Sequence, residues 1–290
     1  MESKQQKFFV VGATGQQGGA VTQSLIRQGH QVRALVRKAK QHSEKAEALK
    51  KLGVEIVLGD MTNQSSLEQA MSGVDGVFSM TTFFEEGLDV EVQQGIILAE
   101  AAQKTNVPHL VYSSVGSAHR NTGIPHFESK WKVEQHIQQL GVPATILRPT
   151  FFMDNFANLM REGILQGNLT VPMRPEIRLQ MVAVKDIGEF GAAALVRPKE
   201  FIGQGIELAG DELTMGEVAA NFSSILQRPV HFTSLPDDQA EAAMGSDMAA
   251  MFRWFNEVGY CADIQELETR FGIPLTSFGE YLETVSWVKS

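Results

Sequence analysis

Phe8-Phe-Val-Val-Gly-Ala-Thr-Gly-Gln-Gln-Gly-Gly19 decides the fold: a short apolar run passes straight into glycines at positions 12, 15 and 18. A chain that leaves a buried strand through Gly12 and enters a helix near Gln16 bares its backbone at the helix N-terminus. Unpaired N–H groups and the helix dipole favour negative charge there, a pyrophosphate above all. The glycines are spaced two residues and two residues apart, unlike the one-then-two spacing of the older dinucleotide-binding turn. Glycine-rich turns also serve tight strand-to-helix corners that bind nothing. Here the apolar run before the turn, and Val21 and Leu25 at helical spacing after it, point to dinucleotide binding.

Working outward, short β-rich runs alternate with amphipathic helical stretches. Strands are predicted at 8–11, 31–37, 54–58, 76–80, 109–112 and 144–148, with helical patterns such as Val92, Ile96, Ala99 and Val133, Ile137, Leu140 between them. Strand, helix, strand repeated this way predicts an α/β fold: a doubly wound parallel sheet of Rossmann type, covered on both faces. Residues 43–51, rich in Glu and Lys, read as a solvated helix face. After Pro149 the rhythm changes. A helix is expected over 151–166, a loop over 171–175 with its two prolines, a strand at 178–184 and a helix at 186–196. A strand at 205–208, a helix at 215–226 and a strand at 230–234 follow. Met244, Met248, Met251, Phe252 and Phe255 form one apolar stripe, read as core packing or as an adaptable surface for a ligand or partner. The expected organisation is a dinucleotide-binding domain over 1–155, with returning segments near 178–208, and a smaller, discontinuous α/β C-terminal lobe over 156–290.

Composition narrows the function classes. The chain has 290 residues, a formal net charge of −9, 43% hydrophobic and 20% charged residues. An acidic balance disfavours nucleic acid and anionic membranes as main partners, although a local basic patch still suits a phosphate. The single cysteine, Cys261, excludes an intrachain disulfide framework and fits a reducing compartment. Met1–Lys7 is polar and shows no leader pattern, and no apolar run is long enough to span a bilayer. The expectation is a soluble, cytoplasmic protein. The histidines are scattered without metal-ligand spacing, and Ser113-Ser114 lacks a nucleophile-elbow pattern, so neither a metal site nor hydrolase chemistry is expected.

The end of the second strand discriminates between nicotinamide cofactors. NAD-binding sheets usually place an acidic side chain there, about 20 residues beyond the glycines, to hold the ribose hydroxyls. This strand instead ends in Arg37, followed by Lys38 and Lys40. A guanidinium stacks on adenine and pairs bidentately with a 2′-phosphate that a carboxylate would repel. The expected cofactor is therefore NADP(H); the bland alternative is a solvated basic turn. Gly59-Asp60, with Met61 after it, falls where adenine would lie, and Thr81, Thr82 and Phe83 where phosphate and ribose would pass.

Together, Gly12-Ala-Thr-Gly-Gln-Gln-Gly-Gly19, the strand ending in Arg37, Gly59-Asp60 and Arg148-Pro-Thr-Phe-Phe-Met-Asp-Asn155 resemble the NmrA-like family of atypical, extended short-chain dehydrogenases/reductases. Val111-Tyr-Ser-Ser114 and Met251-Phe-Arg-Trp254 extend the resemblance over most of the chain. It implies an extended Rossmann fold with a cleft between two lobes. It also implies cofactor contacts from Gly12, Ala13, Thr14, Gly15, Gln16, Gln17 and Gly18, from Arg37 with Lys38, and from Asp60 with Met61. Thr81, Thr82, Phe83, Lys130, Phe152, Met153, Asp154 and Asn155 complete the set. Some members of such a family act as reductases on quinones, dyes or carbonyl-like acceptors; others bind NADP(H) as redox-sensing regulators through a protein partner.

Classical members of that superfamily use a tyrosine four residues before a lysine, with a serine at the preceding strand end. In this chain Ser113 and Ser114 close the fifth strand and Lys130 stands in the helix that follows, but the tyrosine position holds His126. Of the two serines, Ser114 is the candidate for the oxygen-facing role. An imidazole is able to donate a proton to a carbonyl oxygen receiving hydride. The alternative is a helix-entry residue after Pro125 with no chemical role. Lys130 is expected at the nicotinamide ribose. Electron-poor acceptors need no dedicated acid, only near-attack positioning and exclusion of water, for which Phe83, Phe84, Phe151 and Phe152 offer an apolar wall or, equally, core. Two functions stay open: a reductase with a small-molecule acceptor in the cleft, and a sensor acting through a regulatory protein partner.

Overall fold

The apolar run becomes the first strand of a parallel sheet because both of its faces are covered. The computed structural model describes residues 5–289, so the first four positions of the polar opening Met1–Lys7 lie outside it. Six strands, β1 (Lys7–Val10), β2 (Gln31–Val36), β3 (Glu55–Leu58), β4 (Gly76–Met80), β5 (Leu110–Ser113) and β6 (Ala144–Pro149), pair in parallel in the order β3-β2-β1-β4-β5-β6. The strand Gly205–Leu208 extends the sheet beyond β6. Strand order reverses between β1 and β4, the place where open α/β sheets bind ligands.

Side-chain alternation assigns the helices to faces. Phe9, Val11, Val77, Leu110 and Tyr112 point to one face. There they pack with Leu67 and Met71 of α3 (Gln64–Met71), Leu98 and Ala102 of α4 (Leu88–Lys104), and Val133 and Ile137 of α5 (Pro125–Leu140). The opposite face carries Phe78. A Cβ on Gly191, in the helix Val184–Val196, would meet both Phe78 and Val21 of α1 (Gln16–Arg27), and one on Gly188 would meet Ala20 at 2.7 Å. Two glycines thus let that helix lie directly on α1. The doubly wound expectation holds.

Two compact units divide the chain. The first comprises residues 1–118, 126–148 and 187–206; the second comprises 119–125, 149–186 and 207–290. The second unit has a three-stranded sheet of Phe151–Phe152, Arg178–Val182 and Asp211–Thr214, and a two-stranded sheet of Asn168–Val171 and His231–Ser234. Its core is aromatic: Phe156 lies edge-on to Phe151, Phe222 and Phe278 at 5.4–5.7 Å between centroids.

Several elements depart from the sequence reading. Residues 151–166 form a two-residue strand and two short helices, Asn155–Leu159 and Arg161–Leu165, because Phe151 pairs with Met181 instead of entering a helix. The proline-containing segment expected as a loop follows a strand, Asn168–Val171, and Asp211–Thr214 was not anticipated. The methionine-rich stripe is broken at Gly245, whose φ of +83° ends one helix and begins another. Met251, Phe252 and Phe255 of that stripe are core. Strand Arg178–Val182 lies in the second unit, and the chain returns to the first at residue 187. Among the described residues no helix is long and apolar enough to cross a membrane.

Candidate functional site

The glycine turn has the geometry of a bare anion cradle. Gly12 has φ +74°, a left-handed conformation that a side chain would strain, and a Cβ there would touch Met80 Sδ at 3.0 Å. Gly15 N donates to Gly12 O at 2.8 Å, closing the turn, and Gly15 is the N-cap of α1 with no side chain bonded across the helix end. The first turn of α1 holds no acidic residue. Gly18 packs on the turn itself: a Cβ would sit 2.4 Å from Gly12 C and O. Ala13, Thr14 and Gln16 complete the turn, and Gln17 anchors it by accepting from Ser113 Oγ at 2.6 Å. A helix N-terminus without a side-chain cap or an acidic residue in its first turn favours an anion.

β2 delivers Arg37 to the edge of this site. Arg37 is the extended residue before a short 3₁₀ turn, Lys38–Lys40, and its guanidinium is exposed. Asp60, at the end of β3, accepts from the Thr62 amide at 2.8 Å and hydroxyl at 2.7 Å. Those bonds, helped by the Arg37 charge, hold its carboxyl below the usual range. Gly59 before it packs closely on Ser66 and Leu35: a Cβ would lie 2.2 Å from Ser66 Oγ and 2.7 Å from Leu35 Cδ1, so those side chains would have to move. Met61 packs against the sheet core.

A buried ionic network lies under the loop after β4. Glu91, fully buried on α4, has Oε1 2.9 Å from Lys130 Nζ and accepts from Ser129 Oγ at 2.5 Å through Oε2. Lys130 also donates to the Thr81 carbonyl and, at 3.1 Å, to Thr81 Oγ1. The ammonium is thus hydrogen-bonded to Thr81 and charge-paired with Glu91. Thr81 Oγ1 in turn lies 3.2 Å from the Tyr112 hydroxyl. Burial lowers the Lys130 pKa, against the opposing pull of Glu91, and raises that of Tyr112. Gly95 makes the network possible: a Cβ there would meet Val133 Cγ2 at 2.6 Å, so α4 and α5 approach as closely as a glycine permits. Glu91 is one turn before Gly95, and Ser129 one turn before Val133.

Ser114 turns its hydroxyl onto the buried Glu134, which also receives Arg148 Nη2 at 2.7 Å. Ser113, its neighbour, is the serine that reaches the glycine turn. His126 stands in the first turn of α5 with its ring stacked on Phe83 (5.1 Å, 28°), and Phe83 stacks on Phe84 (4.2 Å, 29°). Phe84 is 78% exposed, so this three-ring ladder opens to solvent. Thr82 is half-buried beside it. The first unit therefore gathers the glycine turn, Ser113, the Thr81–Phe83 loop, His126 and Lys130 at the ends of β1, β4 and β5, with Arg37, Lys38 and Asp60 beyond β2 and β3.

Phe152, Met153, Asp154 and Asn155 belong to the second unit. Phe151 is core there, Met153 N donates to Val182 O at 3.0 Å, and Asp154 Oδ2 accepts from Val184 N at 3.1 Å. Burial raises the Asp154 pKa. Glu91 and Glu134 are not among the residues the sequence singles out, and of the two serines closing β5 it is Ser113, not Ser114, that reaches the glycine turn. The usable signal was phase: Glu91 falls on the buried stripe of α4 with Gly95, Leu98 and Ala102, where a carboxylate demands a partner.

The sequence model of the NmrA-like family matches residues 4–282. The chain belongs to the NmrA-like family. Among its relatives this NmrA-like chain is 32% identical over 244 residues to the NAD(P)H azoreductase of Xenophilus azovorans, covering 82% of this chain and 80% of that one. Among solved structures it resembles the Citrobacter sp. triphenylmethane reductase complexed with NADP(H), with a TM-score of 0.81 and 22% identity over 95% of this chain and 99% of that one. It also resembles NmrA, a negative transcriptional regulator solved with NADP, with a TM-score of 0.80 and 22% identity over 98% and 99% of the two chains. At such identities the two structural likenesses establish the shared fold.

Proposed function

We propose that this chain is an NADP(H)-dependent reductase that transfers hydride to a small, electron-poor acceptor of the quinone or carbonyl type. The observation that carries the reading is the uncapped glycine turn combined with a second strand that ends in Arg37 instead of a carboxylate. Relatives named as an NAD(P)H azoreductase and a triphenylmethane reductase support it.

Bound at this site, the nicotinamide supplies the hydride. The residues of the chain do the holding. The N-terminal turn of α1 receives the pyrophosphate, Arg37 with its neighbours Lys38 and Lys40 takes the 2′-phosphate, and Asp60 with Met61 borders the adenine. Thr81, Thr82 and Phe83 guide the ribose end. Lys130 acts by fixing the Thr81 backbone, to which it donates while its charge faces the Glu91 carboxylate. His126 is the side chain placed to hold a proton near an acceptor oxygen, while the Phe83–Phe84 stack presents an aromatic face on which a planar acceptor excludes water. Ser114 contributes by fixing α5 through Glu134.

A second reading, an NADP(H)-holding regulator acting through a protein partner, draws on the commitment of Ser114 and Lys130 to buried partners and on His126 at the tyrosine position. It also draws on the likeness to a transcriptional regulator. Following NADPH absorbance against a panel of quinones, aldehydes and dyes separates the two. Turnover that falls in His126→Ala supports the reductase. NADPH binding without oxidation of any panel member would transfer the assignment to the regulator.

A further inference from the structure

The loop after β4 carries a carboxylate to the basic edge beyond β2. Glu85 Oε2 lies 2.6 Å from Arg37 Nη2, and Glu85 Oε1 lies 3.5 Å from Lys40 Nζ. Two cations bracket one anion, as they would bracket a phosphoryl group. The other acids nearby are engaged elsewhere. Glu86 accepts from Gln94 Nε2 at 2.9 Å, and Asp60 spends Oδ1 on the amide and hydroxyl of Thr62. The bond from Arg37 holds the Glu85 carboxyl below its usual range, so it is a full anion at neutral pH. Its side chain is 49% exposed, in a loop that Gly87 ends with a φ of +87°. The pair is therefore exchangeable rather than buried in place.

We infer that Glu85 is a specificity-determining residue: its carboxylate stands on Arg37 and Lys40 where a 2′-phosphate would pair, and a 2′-phosphorylated nucleotide must displace it. NAD(H), which carries no such phosphate, leaves the Glu85 pairing intact. Glu85 thus weakens NADP(H) selectively and narrows the preference that Arg37 creates. The inference rests on Arg37 as the 2′-phosphate ligand.

Glu85→Gln keeps the shape and removes the charge. Isothermal titration with NADP⁺, 2′,5′-ADP and NAD⁺ at low ionic strength reads the effect. Exposed pairs of this kind are weak, so Glu85→Gln is expected to tighten NADP⁺ and 2′,5′-ADP by about two- to fivefold, with the Kd of NAD⁺ unchanged. The gain shrinks in high salt and disappears in an Arg37→Ala background. Glu86→Gln removes the same charge one residue away and is expected to give no selective gain. Unchanged or weakened NADP⁺ binding in Glu85→Gln overturns the inference, as does an equal gain for NAD⁺ or an equal gain in Glu86→Gln. Arg37→Ala separates this failure from a deeper one. If it leaves NADP⁺ binding intact, the reading of Arg37 itself falls; if it weakens NADP⁺ while Glu85→Gln does nothing, only the role of Glu85 falls.

Discussion

Replacing Lys130 by methionine tests how the buried network is held together. The substitution keeps the length of the side chain and deletes its charge. Glu91 would then keep a carboxylate with no solvent exposure and the Ser129 hydroxyl as its hydrogen-bond donor at 2.5 Å. Breaking a buried pair from one side costs about 3–5 kcal/mol, because the surviving charge is uncompensated. Urea unfolding of Lys130→Met at pH 7, followed by circular dichroism, should therefore show a loss of about 3–5 kcal/mol. Adding Glu91→Gln should recover a large part of it, since an amide is far cheaper to bury than an orphaned anion. Two results would refute the reasoning: a loss below about 1 kcal/mol at pH 7, or single losses that add to within about 0.5 kcal/mol in the double variant.

The remaining predictions concern packing, the cradle and pH. Gly95→Ala places a Cβ 2.6 Å from Val133 Cγ2, a stiff β-branched contact, and should cost about 1–3 kcal/mol in urea unfolding, partly restored by adding Val133→Ala. Gly18→Ala sets a Cβ 2.4 Å from the Gly12 backbone, so the turn must open; titration should show NADP⁺ affinity falling by more than about tenfold. His109 is buried beside Thr145 Oγ1 at 2.8 Å, and burial lowers its pKa to about 4. The unfolded chain takes a proton near pH 6.5 that the folded chain refuses until about pH 4, so this contribution is complete above pH 6.5 and lost as pH falls through that window. The loss reaches about 3 kcal/mol, and His109→Gln should flatten the corresponding slope of stability against pH between 6.5 and 4.

The parallel sheet was legible because each of its strands is a local run of apolar residues bounded by a glycine or a proline. Predicted and observed boundaries of β1–β6 differ by a residue or so at each end. The second unit was harder to read for a physical reason. Its strands are short and stabilised by partners distant in sequence: Phe151 pairs with Met181, and Asp211 with the same residue from the other side. A two-residue strand carries no periodicity of its own. Gly245 interrupts a stripe whose spacing, read as one helix, looked continuous, since spacing alone does not register a left-handed glycine.

The site divides along the same line, between what local chemistry announces and what only packing creates. The glycine turn and Arg37 are legible because their function lies in backbone conformation and in a charge at a strand end, both local properties. Glu91 and Glu134 are not, because a glutamate in a helix ordinarily faces water. Each nevertheless lies in phase with the buried stripe of its helix: Glu91 with Gly95, Leu98 and Ala102, and Glu134 with Phe127, Lys130 and Ile137. A charge in phase with an apolar stripe has two outcomes, a destabilised helix or an opposite charge brought to it by a neighbouring element. Here α5 carries one of each sign one turn apart, Lys130 meeting Glu91 from α4 and Glu134 meeting Arg148 from β6. A helix held from both sides by buried ion pairs resists rotation about its own axis, since turning it would orphan two charges at once. That constraint fixes where His126, one turn before Lys130, is presented. A position that is chemically ambiguous in the sequence is therefore geometrically determined in the fold.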